Sequence, residues 1–68
     1  MTSRTQLREL QGRLVGMALA GGERIDECHL ISSPARGGRV WAFENGRDIF
    51  IPVDEIRDCW EVVPGRAA

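Results

Sequence analysis

Residues 39–51 read RVWAFENGRDIFI, and the Asn45-Gly46 pair divides this stretch into two runs of strand-forming residues. Asn-Gly is the dipeptide most typical of a two-residue hairpin turn, because both of its residues tolerate the positive φ that a type I′ turn requires. A two-residue turn also sets the register of the two strands. The predicted cross-strand pairs are Glu44–Arg47, Phe43–Asp48, Ala42–Ile49, Trp41–Phe50 and Val40–Ile51.

This register gives the hairpin two apolar faces. The aliphatic face consists of Val40, Ala42, Ile49 and Ile51, and the aromatic face consists of Trp41, Phe43 and Phe50. An antiparallel hairpin with one face in water usually carries polar residues on that face, so the second apolar face needs a cover. The aliphatic set is the compact kind that a small core needs, but the sequence leaves open which of the two faces forms that core. With the aliphatic set inside, the aromatic face is expected either to contact a partner or to lie under the N-terminal segment and the curl of the sheet.

The residues before this hairpin predict a second one. Two apolar runs, residues 13–20 and 23–31, flank Gly21-Gly22. Paired glycines reach the positive φ values of a tight hairpin turn, so both runs are expected to be strands. Residues 32–38 contain Ser, Pro and Gly and are expected to form the loop that joins the two hairpins.

The second of these runs does not alternate regularly. Ile25 and Cys28 are both apolar but are three residues apart, which places them out of phase on a regular strand. This pattern indicates a β-bulge or strong bend near Asp26-Glu27. Gly16, inside the first run, is likewise typical of a strand that curves sharply.

A short helix is expected at the N-terminus. Residues 3–10 offer Ser3 or Thr5 as an N-cap, and Leu7, Leu10 and Leu14 recur at spacings of three and four. Two helical turns are unstable alone in water, so this helix needs an apolar surface to pack on. The alternative is a frayed arm.

After the central hairpin, Pro52 cannot donate to a sheet and marks a strand end. Residues 53–56 suit a short 3₁₀ turn, and residues 57–63 suit a final strand.

The expected domains are an arm or helix over 1–12, a β-domain over 13–64 and a disordered tail over 65–68. The fold class is therefore mainly β: a short N-terminal helix and five strongly bent antiparallel strands that close into a small barrel.

Composition narrows the possible functions. The 68 residues allow one small domain, and a quarter of them are Leu, Ile, Val or Phe, which is enough for a folded core. Nine basic residues, all of them Arg, are scattered against ten acidic ones for a net charge of −1. This balance argues against nonspecific nucleic-acid binding and against a membrane-binding patch. Residues 1–6 have no apolar signal-peptide core behind their charge, so we expect a soluble cytoplasmic protein.

Catalytic and metal sites are not expected. Cys28 and Cys59 do not form a disulfide framework, and neither shows the spacing of a zinc site. Cys28 and His29 are adjacent, so on a strand they face opposite sides and cannot easily share an ion. No catalytic or phosphate-binding motif is present, and a barrel this small is filled by its own side chains. We therefore expect no enzymatic activity, no cofactor and no small-molecule substrate.

The order of these segments resembles that of bacterial Sm-like small barrels. The resemblance covers residues 14–63 and is carried by MALAGGERI at 17–25, RVW at 39–41 and IPVDEIR at 51–57. The Hfq family has an N-terminal helix before such strands, and the Rof family of Rho inhibitors has a Leu-Asp-Lys-Ile-type turn where this chain has VDEI at 53–56. A Hfq-like protein would bind RNA through a Lys-His pair near the last turn. This chain has Asp54-Glu55 there, which repels phosphate. A Rof-like protein would dock on a protein through acidic and apolar surface.

Two functional hypotheses follow from the residues together with what this resemblance implies. The first is a protein-binding or regulatory module that acts on transcription machinery or self-associates. Its expected interface residues are Trp41, Phe43, Phe50 and Trp60, and its expected acidic contact residues are Asp48, Asp54 and Glu55. The second is an Sm-like RNA-binding protein, whose candidate contacts are Arg36, Arg39 and Arg47.

Overall fold

The structure, a computed structural model, describes residues 3–34 and 38–63. It contains one α-helix, five strands and one turn of 3₁₀ helix at Val53–Glu55. In chain order the helix and strands are α1 (Arg4–Leu10), β1 (Leu14–Leu19), β2 (Arg24–Ser32), β3 (Arg39–Glu44), β4 (Arg47–Pro52) and β5 (Ile56–Glu61). The predicted mainly β class with one short N-terminal helix is confirmed. The tail expected over 65–68 lies outside the described residues.

All five strands belong to one antiparallel sheet with the order β4-β3-β2-β1-β5. The β3–β4 register contains every predicted pair, from Glu44–Arg47 at the turn to Val40–Ile51, and adds Arg39–Pro52. The turn itself has positive φ at both central residues, 52° at Asn45 and 78° at Gly46. This is the backbone of a type I′ turn, so the Asn-Gly prediction is confirmed.

The β1–β2 turn differs from the prediction in one respect. Only Gly22 of the glycine pair has a positive φ, 89°. The Gly22 amide donates to the Leu19 carbonyl at 3.0 Å, and the Leu19 amide donates to the Glu23 carbonyl at 2.9 Å. The turn therefore spans residues 19–22, with a left-handed glycine at its last position. Ala20 and Gly21 are its two central residues, and neither has a positive φ, so Gly21 has a conformation open to any residue.

Bulges bend the sheet at three places. Val15 pairs with Cys28 and Met17 pairs with Ile25, so β2 has one extra residue at Asp26-Glu27, as predicted. The other two irregularities lie between Ala18 and Leu19 on β1 opposite β5, and between Leu30 and Ser32 on β2 opposite β3. Each bulge increases the local twist and bends the strand that contains it.

The core lies on one face of this sheet. Its ten buried residues are each at most 7% exposed: Leu7, Val15, Met17, Cys28, Leu30, Val40, Ala42, Ile51, Ile56 and Cys59. The aliphatic face of the central hairpin belongs to it, with Ile49 packed at its margin. One seven-residue helix is too small to cover a flat five-stranded sheet. To bury these side chains the sheet must therefore curl around this face, which is its concave side and leaves the opposite face convex.

Helix α1 packs against β5. Ser3 is the N-cap, and its hydroxyl accepts the Gln6 amide at 3.1 Å. Leu7 is 1% exposed in the core, and Gly12, with a φ of 86°, turns the chain into β1. The segment is thus a docked helix, and it does not lie over the aromatic face. Within the described residues, no helix is long and apolar enough to cross a membrane.

The expected closure of the strands into a barrel is not observed. Among residues 3–34 and 38–63 no ladder joins β4 to β5, and these two strands are the edges of the sheet. The reason lies at the end of β4. Pro52 has no amide hydrogen, and the next amide, that of Val53, donates to the Gly38 carbonyl at 3.0 Å. The chain then enters the 3₁₀ turn and reaches the end of β1, where the amide of the next residue, Ala20, donates to the Glu55 carbonyl at 2.7 Å.

The type I′ turn can be tested with two matched glycine substitutions. An added Cβ would have no neighbour within 4 Å at either Gly46 or Gly21, but only Gly46 of the two has a positive φ. Gly46→Ala should lower the free energy of unfolding by about 1–2 kcal/mol, the cost of a left-handed L-residue. Gly21→Ala should be neutral or slightly stabilising. Urea unfolding of both variants measures the difference, and equal effects would contradict the turn assignment.

Candidate functional site

Three of the four aromatic residues predicted as an interface lie together on the convex face of the β3–β4 hairpin. Trp41 is 40% exposed, Phe43 39% and Phe50 57%. We call these three residues the aromatic patch. Their exposure follows from the register, since the aliphatic residues that alternate with them occupy the core. The described parts of the chain place no helix over the patch.

The patch is held in place by contacts within the hairpin. The Trp41 and Phe50 rings stack with a centroid separation of 6.2 Å and an interplanar angle of 21°. The Trp41 Nε1–H donates to Asp48 Oδ1 at 3.0 Å. Asp48 is opposite Phe43 in the ladder and therefore diagonal to Trp41. These contacts fix the orientation of the indole, so a binding partner would lose little side-chain entropy by contacting it.

Sequence reasoning missed two neighbours of the patch. Ile31, 39% exposed, is the extra residue of the β2 bulge opposite Trp41 and extends the apolar surface onto a third strand. His29 pairs with Phe43 and is exposed beside it. The contact between Trp41 and Asp48 could have been predicted from the sequence, because the predicted register also specifies the diagonal pairs. The bulge at Ile31 had no signal in the sequence.

Trp60 does not join the patch. The prediction placed it on a strand beside the central hairpin, but β5 pairs with β1, three strands from β3, or about 14 Å across the sheet. Trp60 is half-buried and pairs with Gly16. A Cβ on Gly16 would lie 2.6 Å from Trp60 Cε2 and Nε1, so the indole packs directly on the glycine backbone. The Arg24 guanidinium lies 5.2 Å from the ring centroid and covers it from solvent.

The predicted charged residues are spread over the surface. Asp48 lies at the margin of the patch, where it accepts the Trp41 Nε1–H, whereas Asp54 and Glu55 are exposed on the 3₁₀ turn that follows β4. Arg39 and Arg47 are exposed at opposite ends of the hairpin, five residue pairs or about 17 Å apart along the ladder. They also alternate onto opposite faces of the sheet. Arg36 lies outside the described residues.

Both cysteines lie in the core on either side of β1, as free thiols. Burial raises the pKa of Cys28 from 9.0 to about 11, with a smaller contribution from Glu44. Burial likewise raises the pKa of Cys59 to about 11, helped by Cys28 and Asp58. His29 faces away from Cys28. Within residues 3–34 and 38–63, no three His, Cys, Asp or Glu side chains are grouped closely enough to hold a metal ion.

Comparisons of the chain with protein-family models, curated proteins and solved structures found no match.

The contact between Gly16 and Trp60 predicts a large effect from a single methyl group. Gly16→Ala should displace the indole and lower the free energy of unfolding by about 1–3 kcal/mol, as overpacking does. In a Trp60→Ala background the same substitution should cost much less, because the added methyl then meets no ring. A double-mutant cycle by chemical denaturation measures this coupling. An equal cost of Gly16→Ala in both backgrounds would show that the indole is not what excludes the methyl.

The buried thiols predict how stability changes at alkaline pH. Their pKa values are higher in the folded chain than in the unfolded chain, so their contribution to stability is complete below about pH 9 and is lost as the pH rises through about 11. The sequence has no Lys and no Tyr, so no other side chain titrates strongly in this range. The free energy of unfolding, measured by urea titration between pH 8 and 11, should therefore fall.

Cys59→Ala is the control for this titration. The variant should be less stable at every pH because it loses buried volume, but its stability should fall less steeply with pH. Identical slopes for the variant and the wild type would contradict the assignment of the transition to the thiols.

Proposed function

We propose that this chain is a non-enzymatic protein-binding module that contacts its partner through the aromatic patch. The observation that carries the proposal is the exposure of Trp41, Phe43 and Phe50 side by side on one face. A chain of 68 residues has few large apolar side chains with which to build a core, yet three of its four aromatic residues are exposed to solvent. Contiguous exposed aromatic residues of this kind are typical of contact sites.

The chemistry around the patch indicates the kind of protein surface it suits. Ile31 widens the apolar area and Asp48 adds a carboxylate at its margin. A partner that fits this face would present an apolar groove for the Trp41 and Phe50 rings, with a basic group placed near Asp48. Asp54 and Glu55, exposed further along the chain, would favour a basic surface at the periphery of the contact.

The Sm-like resemblance extends this proposal. A helix followed by five bent antiparallel strands is compatible with an Sm-like architecture, and a Rof-like role would place the partner in the transcription machinery. The acidic residues of the 3₁₀ turn support the Rof-like alternative over the Hfq-like one, because that turn would repel the phosphates of RNA.

RNA binding is the competing function, since exposed aromatic rings on a sheet can also stack with bases. A nucleic-acid platform needs cations along the path of the phosphates. The two described candidates, Arg39 and Arg47, are on opposite faces and at opposite ends of the hairpin. The carboxylate closest to the rings, that of Asp48, has the wrong charge. The distribution of charge therefore favours a protein partner.

Trp41→Ser tests the proposed contact, with Val63→Ser as its matched control. Both residues are exposed, Trp41 by 40% and Val63 by 51%, but only Trp41 belongs to the patch. Both variants should remain folded by circular dichroism. Affinity capture by tagged wild-type and variant chains, followed by quantitative mass spectrometry, should identify proteins that are lost with Trp41→Ser and retained with Val63→Ser. A captured set that is the same for all three chains would overturn the proposal.

Two further measurements separate the alternatives. Titration of the chain with a random RNA pool at low salt should show no micromolar binding, whereas salt-sensitive micromolar binding would favour the RNA function. A purified Rho-dependent termination reaction tests the Rof-like role. Read-through that increases with wild-type chain but not with Trp41→Ser is the expected result. An effect equal for both chains would separate that role from the patch.

A further inference from the structure

The two edges of the sheet are protected to different degrees. On β5, the Val62 amide donates to the Leu14 carbonyl at 2.8 Å, so residues 60 and 62 face β1 and Cys59 faces the open edge. Both backbone groups of Cys59 are nevertheless occupied. Its amide donates to Asp58 Oδ1 at 2.9 Å, and its carbonyl accepts Gln6 Nε2–H at 3.4 Å from helix α1. The middle of this edge is therefore covered by side chains.

The β4 edge has no such cover in the described parts of the chain. The type I′ turn makes Glu44–Arg47 a hydrogen-bonded pair, and the bond from the Val53 amide to the Gly38 carbonyl continues the same alternation. Residues 47, 49 and 51 therefore face β3, whereas 48, 50 and 52 face outward. Asp48 and Phe50 each present an amide and a carbonyl, and Pro52 presents a carbonyl alone. Such a row can pair with another strand.

Phe50 is the residue of this edge that is most suited to a contact. At 57%, it is the most exposed large hydrophobic residue in the described structure. Trp41 covers the side of its ring that faces β3, at 6.2 Å between centroids. The other side of the ring lies where the neighbour of β4 would be. A strand added at this edge would place its own side chain against that uncovered side.

We infer that β4 pairs antiparallel with β4 of a second copy of this chain, across a two-fold axis at Phe50. The edge is self-complementary in this register. Phe50 exchanges two hydrogen bonds with Phe50 of the partner subunit, and each Asp48 amide donates to the Pro52 carbonyl opposite it. Trp41 and Phe50 of the two copies then form one row of four rings on a continuous ten-stranded sheet. The inference rests on this edge and is independent of the proposed protein partner.

The charges at the edge select this register. Centring the pair on Asp48 or on Arg47 would place like charges directly opposite each other, which is unfavourable. Centring the pair on Ile49 avoids opposed like charges. It places each Asp48 carboxylate opposite a Phe50 ring, however, and the two Phe50 rings no longer face each other. Head-to-tail addition of β4 to β5 would first have to displace the Gln6 and Asp58 contacts. Two-fold pairing at β4 leaves those contacts intact and closes the assembly at two chains.

Because only the six residues of β4 on each side are involved, the buried area is at the small end of the range for specific interfaces. The expected result for the 68-residue chain is a reversible dimer at about 0.2 mM, with twice the 7.6 kDa mass of the single chain, measured by light scattering after size exclusion. A monomer at about 1 mM would overturn the inference.

Charge substitution at the two-fold position tests the register. Phe50→Arg and Phe50→Glu each place like charges opposite one another in the self-pair, so each variant alone should be monomeric. An equimolar mixture should form a mixed dimer, because opposite charges then meet. The same pair of substitutions at Trp41, one strand away from the edge, should not show this rescue. Dimers of either Phe50 variant alone, or a Phe50 mixture that stays monomeric, would overturn the inference.

A measurement on the unmodified chain keeps the test independent of variant folding. Hydrogen exchange followed by NMR should show that the amides of Asp48 and Phe50 become more protected as the concentration rises from about 10 µM to 0.5 mM. The Ile49 amide, which faces β3, should be protected at both concentrations. Protection of Asp48 and Phe50 that is independent of concentration would overturn the inference.

Discussion

The two-residue turn at Asn45-Gly46 fixes the strand register on which most other features of this structure depend. Positive φ at both positions commits the hairpin to one register, and the register decides which alternate residues lie inside. A slip of one residue would exchange the two faces. Three aromatic rings would then enter a space that fits Val40, Ala42 and Ile51, and the aliphatic residues would lie in water. The same register also determines which backbone groups of β4 face outward.

The small size of the chain imposes the next constraint. Within residues 3–34 and 38–63, ten buried residues form the core, and the seven-residue helix is the only separate layer over them. The sheet must supply the remaining cover by curling, and its three bulges make this possible. Gly16 has a related role on the convex side, where the missing side chain lets Trp60 pack flat on the backbone. The core and the convex face are thus shaped by local irregularities rather than by added segments.

Some apolar and edge surfaces of this molecule are covered by other residues and some are exposed, and this difference is the physical basis of the functional proposal. Trp60 is shielded by Gly16 and Arg24, and the β5 edge is shielded by α1 and Asp58. The aromatic patch and the β4 edge have no equivalent shield in the described residues, and they adjoin each other at Phe50. Exposed rings on a preorganised hairpin bury a large area with little entropy loss. The uncovered part of the protein is therefore the part best suited to binding.

The sequence by itself determined the local features whose signals are short-range. The Asn45-Gly46 turn, the β3–β4 pairs and the bulge at Asp26-Glu27 depend on neighbours within a few positions. For the N-terminal helix the sequence left open both the N-cap, Ser3 or Thr5, and whether the segment is docked. Only the tertiary structure decided which apolar face is covered, that β5 pairs with β1 and so takes Trp60 away from the patch, and that the sheet keeps two edges. These outcomes depend on which distant segments compete for the same surface. Alternation along one strand shows which residues share a face, but it does not show what covers that face.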